Sequence, residues 1–221
     1  MGQSLGIPVV GMSKSRQVAV LGGTFNPVHC GHLVMADQAL HQFGLDEVLW
    51  IPAGDPPHKP VAPGCGSQDR LEMVRLAIAD QPRFRCSDME LQRQGPSYTA
   101  LTLDSLTTED PDTEWFWILG VDAFRDLPRW HEAERVAQMC RWIIAPRVGP
   151  QSSETVAQAV RDQLQVRYDF LQAPYIEISS TFLRQQIHQG GSIRYLVPPA
   201  VEDYIQTHHL YHFDPKTTAI L

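Results

Sequence analysis

The chain has 221 residues, enough for one domain with a substantial core. Its formal net charge is −7 with no block of Lys or Arg, which argues against a nucleic-acid partner. No stretch approaches the ~18 to 20 apolar residues of a membrane span, so no membrane partner is expected. The four cysteines are scattered without a Cys-x-x-Cys pair, as in a reduced, cytoplasmic protein.

Residues 1–16 lack the apolar run and cleavage pattern of a secretory signal and read as a disordered leader. Residues 17–213 read as one domain and 214–221 as a tail. The first element is a short apolar run, Val18 to Leu21, a strand buried on both faces. Gly22 and Gly23 follow, where a ligand can approach without meeting a Cβ. After Pro27 a helix pattern opens, with Leu33, Ala36, Leu40 and Phe43 on one face and Gly44 closing it. His29 and His32 fall at the junction. Helix N-termini offer free N–H groups and a positive dipole end, so this junction suits a phosphate. Two histidines spaced i, i+3 there can donate hydrogen bonds to phosphoryl oxygens as charge builds. Each signal alone is weak: a lone histidine is usually structural, and no third ligand nearby completes a metal site.

Glu47 to Ala53 is a second buried strand, followed by a Pro-rich loop from Gly54 to Ser67 that contains Lys59. A helix over 68–79 turns Leu71, Val74 and Ile78 inward. Phe84 to Leu91 reads as a third strand, Gly95-Pro96 breaks the chain, and Ser97-Tyr98-Thr99 opens a helix to about residue 106. Glu114 to Gly120 is the fourth strand, ending in Gly-Val-Asp-Ala with Asp122, and Trp130 and His131 lie beyond it. Arg141 to Ala145 is the fifth strand. A helix with Val156, Ala159, Val160 and Leu164 follows, then a sixth strand over Tyr175 to Ile178. Strands alternating with helices imply an α/β fold built of right-handed crossovers around a mostly parallel, doubly wound sheet. Ligands bind such sheets at the carboxyl ends of the strands, where the motifs above cluster. In Ile178-Ser179-Ser180-Thr181-Phe182-Leu183-Arg184 a hydroxyl can cap a helix, with Arg184 one turn in. Taken alone this is a plain cap with a surface arginine. A final helix carries Val201, Tyr204 and Ile205.

Gly-Gly-Thr-Phe-Asn-Pro-Val-His-Cys-Gly-His, residues 22–32, resembles the signature of the nucleotidyltransferase superfamily with paired histidines. Ile-Ser-Ser-Thr-x-x-Arg, Pro-Pro-His-Lys, Gly-Pro-Ser-Tyr-Thr and Gly-Val-Asp-Ala with Trp130 are similar to segments of its bacterial nicotinate-nucleotide adenylyltransferase family. The likeness runs from about residue 17 to 211, and Asn26 and Val121 stand where that family usually has Asp and Ala.

The resemblance implies a Rossmann-like fold and adenylyl transfer from ATP to nicotinate mononucleotide, a step of NAD synthesis that also gives pyrophosphate. It implies catalytic roles for His29, His32 and Arg184. The ATP site would comprise those three with Gly22, Gly23, Thr24, Phe25, Ser179, Ser180 and Thr181. Nicotinate mononucleotide would meet Asn26, Lys59, Ser97, Tyr98, Thr99, Asp122, Trp130 and His131, with Tyr98 and Trp130 flanking the pyridine ring. Mg²⁺ would arrive with ATP, and no side chain is assigned as a metal ligand. A homo-oligomer is left open. So are nicotinamide mononucleotide or phosphopantetheine as acceptor, and a non-catalytic nucleotide sensor.

Overall fold

A computed structural model describes residues 15–57, 61–145 and 152–211. In chain order the elements are β1 (Gln17–Gly23), α1 (Cys30–Gln42), β2 (Glu47–Pro52), α2 (Ser67–Ile78), β3 (Phe84–Cys86), α3 (Met89–Gln92) and α4 (Thr99–Glu109). The second half runs through β4 (Glu114–Gly120), α5 (Val121–Asp126), a 3₁₀ turn (Leu127–Arg129), α6 (Ala133–Met139), β5 (Arg141–Ala145), α7 (Ser153–Arg161), β6 (Tyr168–Phe170), α8 (Ser180–His188) and α9 (Pro199–Thr207). The strands stand in the order β3-β2-β1-β4-β5-β6, and all five pairings are parallel. The winding reverses between β1 and β4. The crevice outside their carboxyl ends is therefore where a doubly wound sheet takes its ligand.

Alternation along the strands divides the core into two layers. Ala19, Leu21, Trp50, Phe116 and Ile118 face one side, packed by buried residues of α1, α2, α8 and α9. Val18, Val20, Leu49, Trp117 and Trp142 face the other, packed by α4, α5, α6 and α7. Strands covered on both faces must be apolar throughout, which is why β1, β2, β4 and β5 read as continuous apolar runs.

Three local expectations are corrected. The third strand stops at Cys86. Ser87 N–H still bonds to the Trp50 carbonyl at 2.9 Å, but Asp88 then caps α3, which sinks the Glu90 side chain into the protein. The sixth strand is Tyr168–Phe170 rather than 175–178. Arg141 holds Asp169 through two nitrogens at 2.6 and 3.0 Å, and Gln42 clasps this strand by donating to the Phe170 carbonyl and accepting from Gln172 N–H. Residues 175–178 form no strand: Tyr175 and Ile176 are exposed, and the segment lines the cleft that holds His29 and His32. In α7 the buried alanine is Ala157, and Ala159 faces outward.

Candidate active site

β1 delivers the chain into the crevice through Gly22 and Gly23. A Cβ on Gly22 would lie 2.8 Å from Cζ2 of Trp117, so the strand end can pack there only as glycine. Thr24 turns the chain, and its carbonyl accepts from Arg70 at 2.8 Å. Phe25 adopts φ +49 and is buried, its ring edge-on to His32 at 5.1 Å and tilted against Trp50 at 5.5 Å. It packs against His32 from the core side. Asn26 is only 3% exposed.

His29 caps α1 in an extended conformation, and His32 follows one turn later. Their rings stack with centroids 3.7 Å apart and planes 24° from parallel. Burial lowers the His29 pKa to about 4. It depresses His32 as well, and the neighbouring His29 adds to that. Both imidazoles are therefore neutral near pH 7. The His29 backbone N–H donates to Nδ1 of His32 at 3.2 Å. Since that nitrogen must accept, neutral His32 carries its proton on Nε2, and Nε2–H is the donor it can offer a ligand. Nδ1 of His29 is buried without a hydrogen-bond partner, a polar atom in want of a ligand or water.

The N-terminus of α8 faces this pair across the same cleft. Ser179 caps it by accepting from Phe182 N–H at 3.2 Å. Ser180 Oγ donates to the Pro27 carbonyl at 2.8 Å, and Arg184 Nη1 donates to the Asn26 carbonyl at 2.7 Å. The other guanidinium nitrogen reaches Thr181 Oγ1 at 3.3 Å. Two stretches some 150 residues apart are thus bolted together, with α1 and α8 presenting their positive ends to one space. That space is a cleft of about 700 Å³ with His29, His32, Asp122, Ile176, Ser179 and Phe182 among its walls.

A second group gathers around the start of α4. Ser97 Oγ accepts from the N–H groups of Gly54 at 2.9 Å and Asp55 at 3.2 Å, which ties the loop after β2 to α4. Tyr98 caps α4, Thr99 begins it, and the Tyr98 ring stacks on His131 at 4.2 Å and 22°. Trp130 packs edge-on to Trp142 at 6.0 Å. Asp122 pairs with Arg125 at 3.1 Å on the first turn of α5. Lys59 lies outside the described residues.

Several buried residues that tie these turns and loops together were not singled out from sequence. Arg70 is 1% exposed and joins the Thr24 carbonyl to that of Gly54, the latter at 3.4 Å. Its signal was available, because position 70 lies on the same helical stripe as the buried Met73, Val74 and Ala77. Glu90 is buried under the Gly54 loop, where burial raises its pKa while Thr102 and Ser97 hydroxyls oppose that rise. Tyr211, at the far end of the chain, donates to Asn26 Oδ1 at 2.7 Å. No local pattern announces such a contact.

The cytidylyltransferase-like family model matches residues 20–186. A Synechococcus sp. (strain JA-2-3B'a(2-13)) protein named probable nicotinate-nucleotide adenylyltransferase is 61% identical over 198 residues, covering 90% of this chain and 98% of its own. A protein of the same name from Dehalococcoides mccartyi (strain CBDB1) is 42% identical over 201 residues, covering 89% and 98%. Among solved structures, Plasmodium falciparum nicotinic acid mononucleotide adenylyltransferase complexed with NaAD superimposes with a TM-score of 0.75 at 19% identity. It covers 89% of this chain and 97% of its own, a likeness of fold.

Proposed function

We propose, for a chain that belongs to the nicotinate-nucleotide adenylyltransferase family, that it transfers the adenylyl group of ATP to nicotinate mononucleotide in the cleft between α1 and α8. A phosphate oxygen of the mononucleotide attacks the α-phosphorus of ATP, the bond to the β-phosphate breaks, and pyrophosphate leaves. The attacking group is already an anion, so no general base is needed. The protein's tasks are to bring two anions into line and to offset the charge that develops.

The observation that carries this reading is the stacked, neutral His29–His32 pair set against the capped N-terminus of α8 in one cleft. His32 Nε2–H would donate to a phosphoryl oxygen, and His29 Nδ1 supplies a second polar atom beside it. Neutral donors suit the task, because they attach to the phosphate without carrying a proton that burial disfavours. Arg184 and the first N–H groups of α8 would hold the departing phosphates. On the acceptor side, the Tyr98 face now covered by His131 would take the planar pyridine ring, with Trp130 next to it. Backbone N–H groups near Thr99 and His131 would meet the carboxylate.

Mg²⁺ would supply further charge neutralisation on the triphosphate. Mg²⁺ dehydrates reluctantly and binds phosphates well, so phosphates and water would provide most of its ligands. No helix among the described residues is long and apolar enough to cross a membrane.

The test is to incubate the protein with ATP, Mg²⁺ and either nicotinate or nicotinamide mononucleotide at matched low concentration, following pyrophosphate and dinucleotide together. One-for-one formation of both products, with strong preference for the acid, is expected. Equal use of the amide would discard the carboxylate assignment, and silence with both would overturn the reaction.

A further inference from the structure

We propose that Tyr211 is a positioning residue for adenylyl transfer, whose hydroxyl acts through the Asn26 side chain to hold the carbonyl that orients the Arg184 guanidinium. The inference rests on the reading above that Arg184 meets the triphosphate. Asn26 stands between the turn and the histidines, and its side chain is anchored at two points. Nδ2 donates to the Ala62 carbonyl at 3.1 Å, and Oδ1 accepts from the Tyr211 hydroxyl at 2.7 Å. Chemistry fixes this orientation: a carbonyl can only accept, so the amide NH₂ must face Ala62, the amide oxygen must face Tyr211, and the phenol must donate. With the side chain anchored at both ends, the residue is fixed, and its backbone carbonyl accepts from Arg184 Nη1 at 2.7 Å.

Tyr211 is itself held for the purpose. It is buried, its backbone N–H reaches the Gly64 carbonyl at 3.3 Å, and it sits at φ +64. A bulky side chain in the left-handed region is uncommon, and such a conformation persists where surrounding contacts determine it. Burial also pushes the phenol pKa far up, so the donor keeps its proton throughout the working range. Tyr211 therefore joins two other parts of the chain to its own: its backbone N–H holds the loop over 61–66, and its hydroxyl holds the turn that carries the histidines.

The test is a cycle of Tyr211→Phe made in the native and the Arg184→Ala backgrounds, read as kcat, KM for ATP and thermal midpoint. We expect a roughly tenfold fall in kcat with KM for ATP within about twofold in the native background. In the Arg184→Ala background the same change should lower kcat by less than about twofold, because the group it orients is gone. Equal falls in both backgrounds would mark general loosening and overturn the proposal, as would a fall of less than about threefold in the native background. Should Tyr211→Phe fail to fold, Asn26→Leu/Tyr211→Phe removes donor and acceptor together and carries the same expectation. A crystal structure of the variant separates this inference from the reaction on which it rests. If Arg184 keeps its contact to the Asn26 carbonyl without the hydroxyl, the positioning role is wrong whatever the protein catalyses.

Discussion

Replacing His29 with Asn removes a group whose proton affinity the fold suppresses, and the consequence for stability can be worked from its burial. His29 is 6% exposed, and its pKa falls from the ordinary imidazole range to about 4 because burial penalises the charged ring. In the unfolded chain the value returns to about 6.5. Between these limits the unfolded chain binds a proton that the folded protein refuses, so acid favours unfolding. The contribution is fully present above about pH 6.5 and is lost as pH falls toward 4. For these two values the loss reaches ~2 kcal/mol at pH 5 and ~3 kcal/mol at pH 4, relative to pH 8. His32 acts in the same direction, since burial and then His29 depress it too. Urea denaturation of both proteins at pH 7.5, 6 and 5 measures the effect. The stability difference between native protein and His29→Asn should shift by ~2 kcal/mol over that range, the native protein losing more. Parallel curves would refute the reasoning, as would an imidazole signal for His29 titrating near 6.5 by NMR.

Two further outcomes follow from the same geometry. A Cβ on Gly54 would lie 2.3 Å from the Glu90 carbonyl oxygen, and α3 cannot easily retreat because the Glu90 carboxylate holds the Thr102 hydroxyl at 2.6 Å. Gly54→Ala should cost ~2 kcal/mol or more, lowering the thermal midpoint by ~4 to 8 °C, as calorimetry would show. Trp130→Ala should raise KM for nicotinate mononucleotide ~10-fold while leaving KM for ATP within about twofold. Steady-state kinetics with each substrate varied would show whether the ATP side alone responds, which would place the acceptor pocket elsewhere.

Much of the fold was legible because buried parallel strands must be apolar along their whole length. Gln17–Gly23, Glu47–Pro52, Glu114–Gly120 and Arg141–Ala145 advertise themselves in that way. Of the two short edge strands, Phe84–Cys86 was read with the right start but carried too far, and the other was missed. Tyr168–Phe170 is three residues long and depends on Arg141 and Gln42, distant in sequence, whereas Tyr175 to Ile178 has strand-like alternation but pairs with no strand. Within the cleft, the residues that were legible lie in contiguous motifs at a strand end or a helix start, 22–32 and 178–184. Arg70 lies on a legible buried stripe of α2, but its charge, which in most sequences marks a surface, argues the other way. The Tyr211–Asn26 bond spans 185 positions, a separation at which residue pattern carries no information about contact. The stacking of Tyr98 on His131 was unreadable for the same reason, since the resemblance pairs Tyr98 with Trp130 around a ligand.

The most direct test of the account is the turnover of His32→Ala, measured beside its equilibrium affinity for ATP. If Nε2–H of His32 donates to a phosphoryl oxygen as charge develops, kcat falls by ~10² or more while the ATP dissociation constant stays within about threefold. Near-normal turnover would remove His32 from the mechanism and contradict the assignment of this cleft as the place where adenylyl transfer occurs.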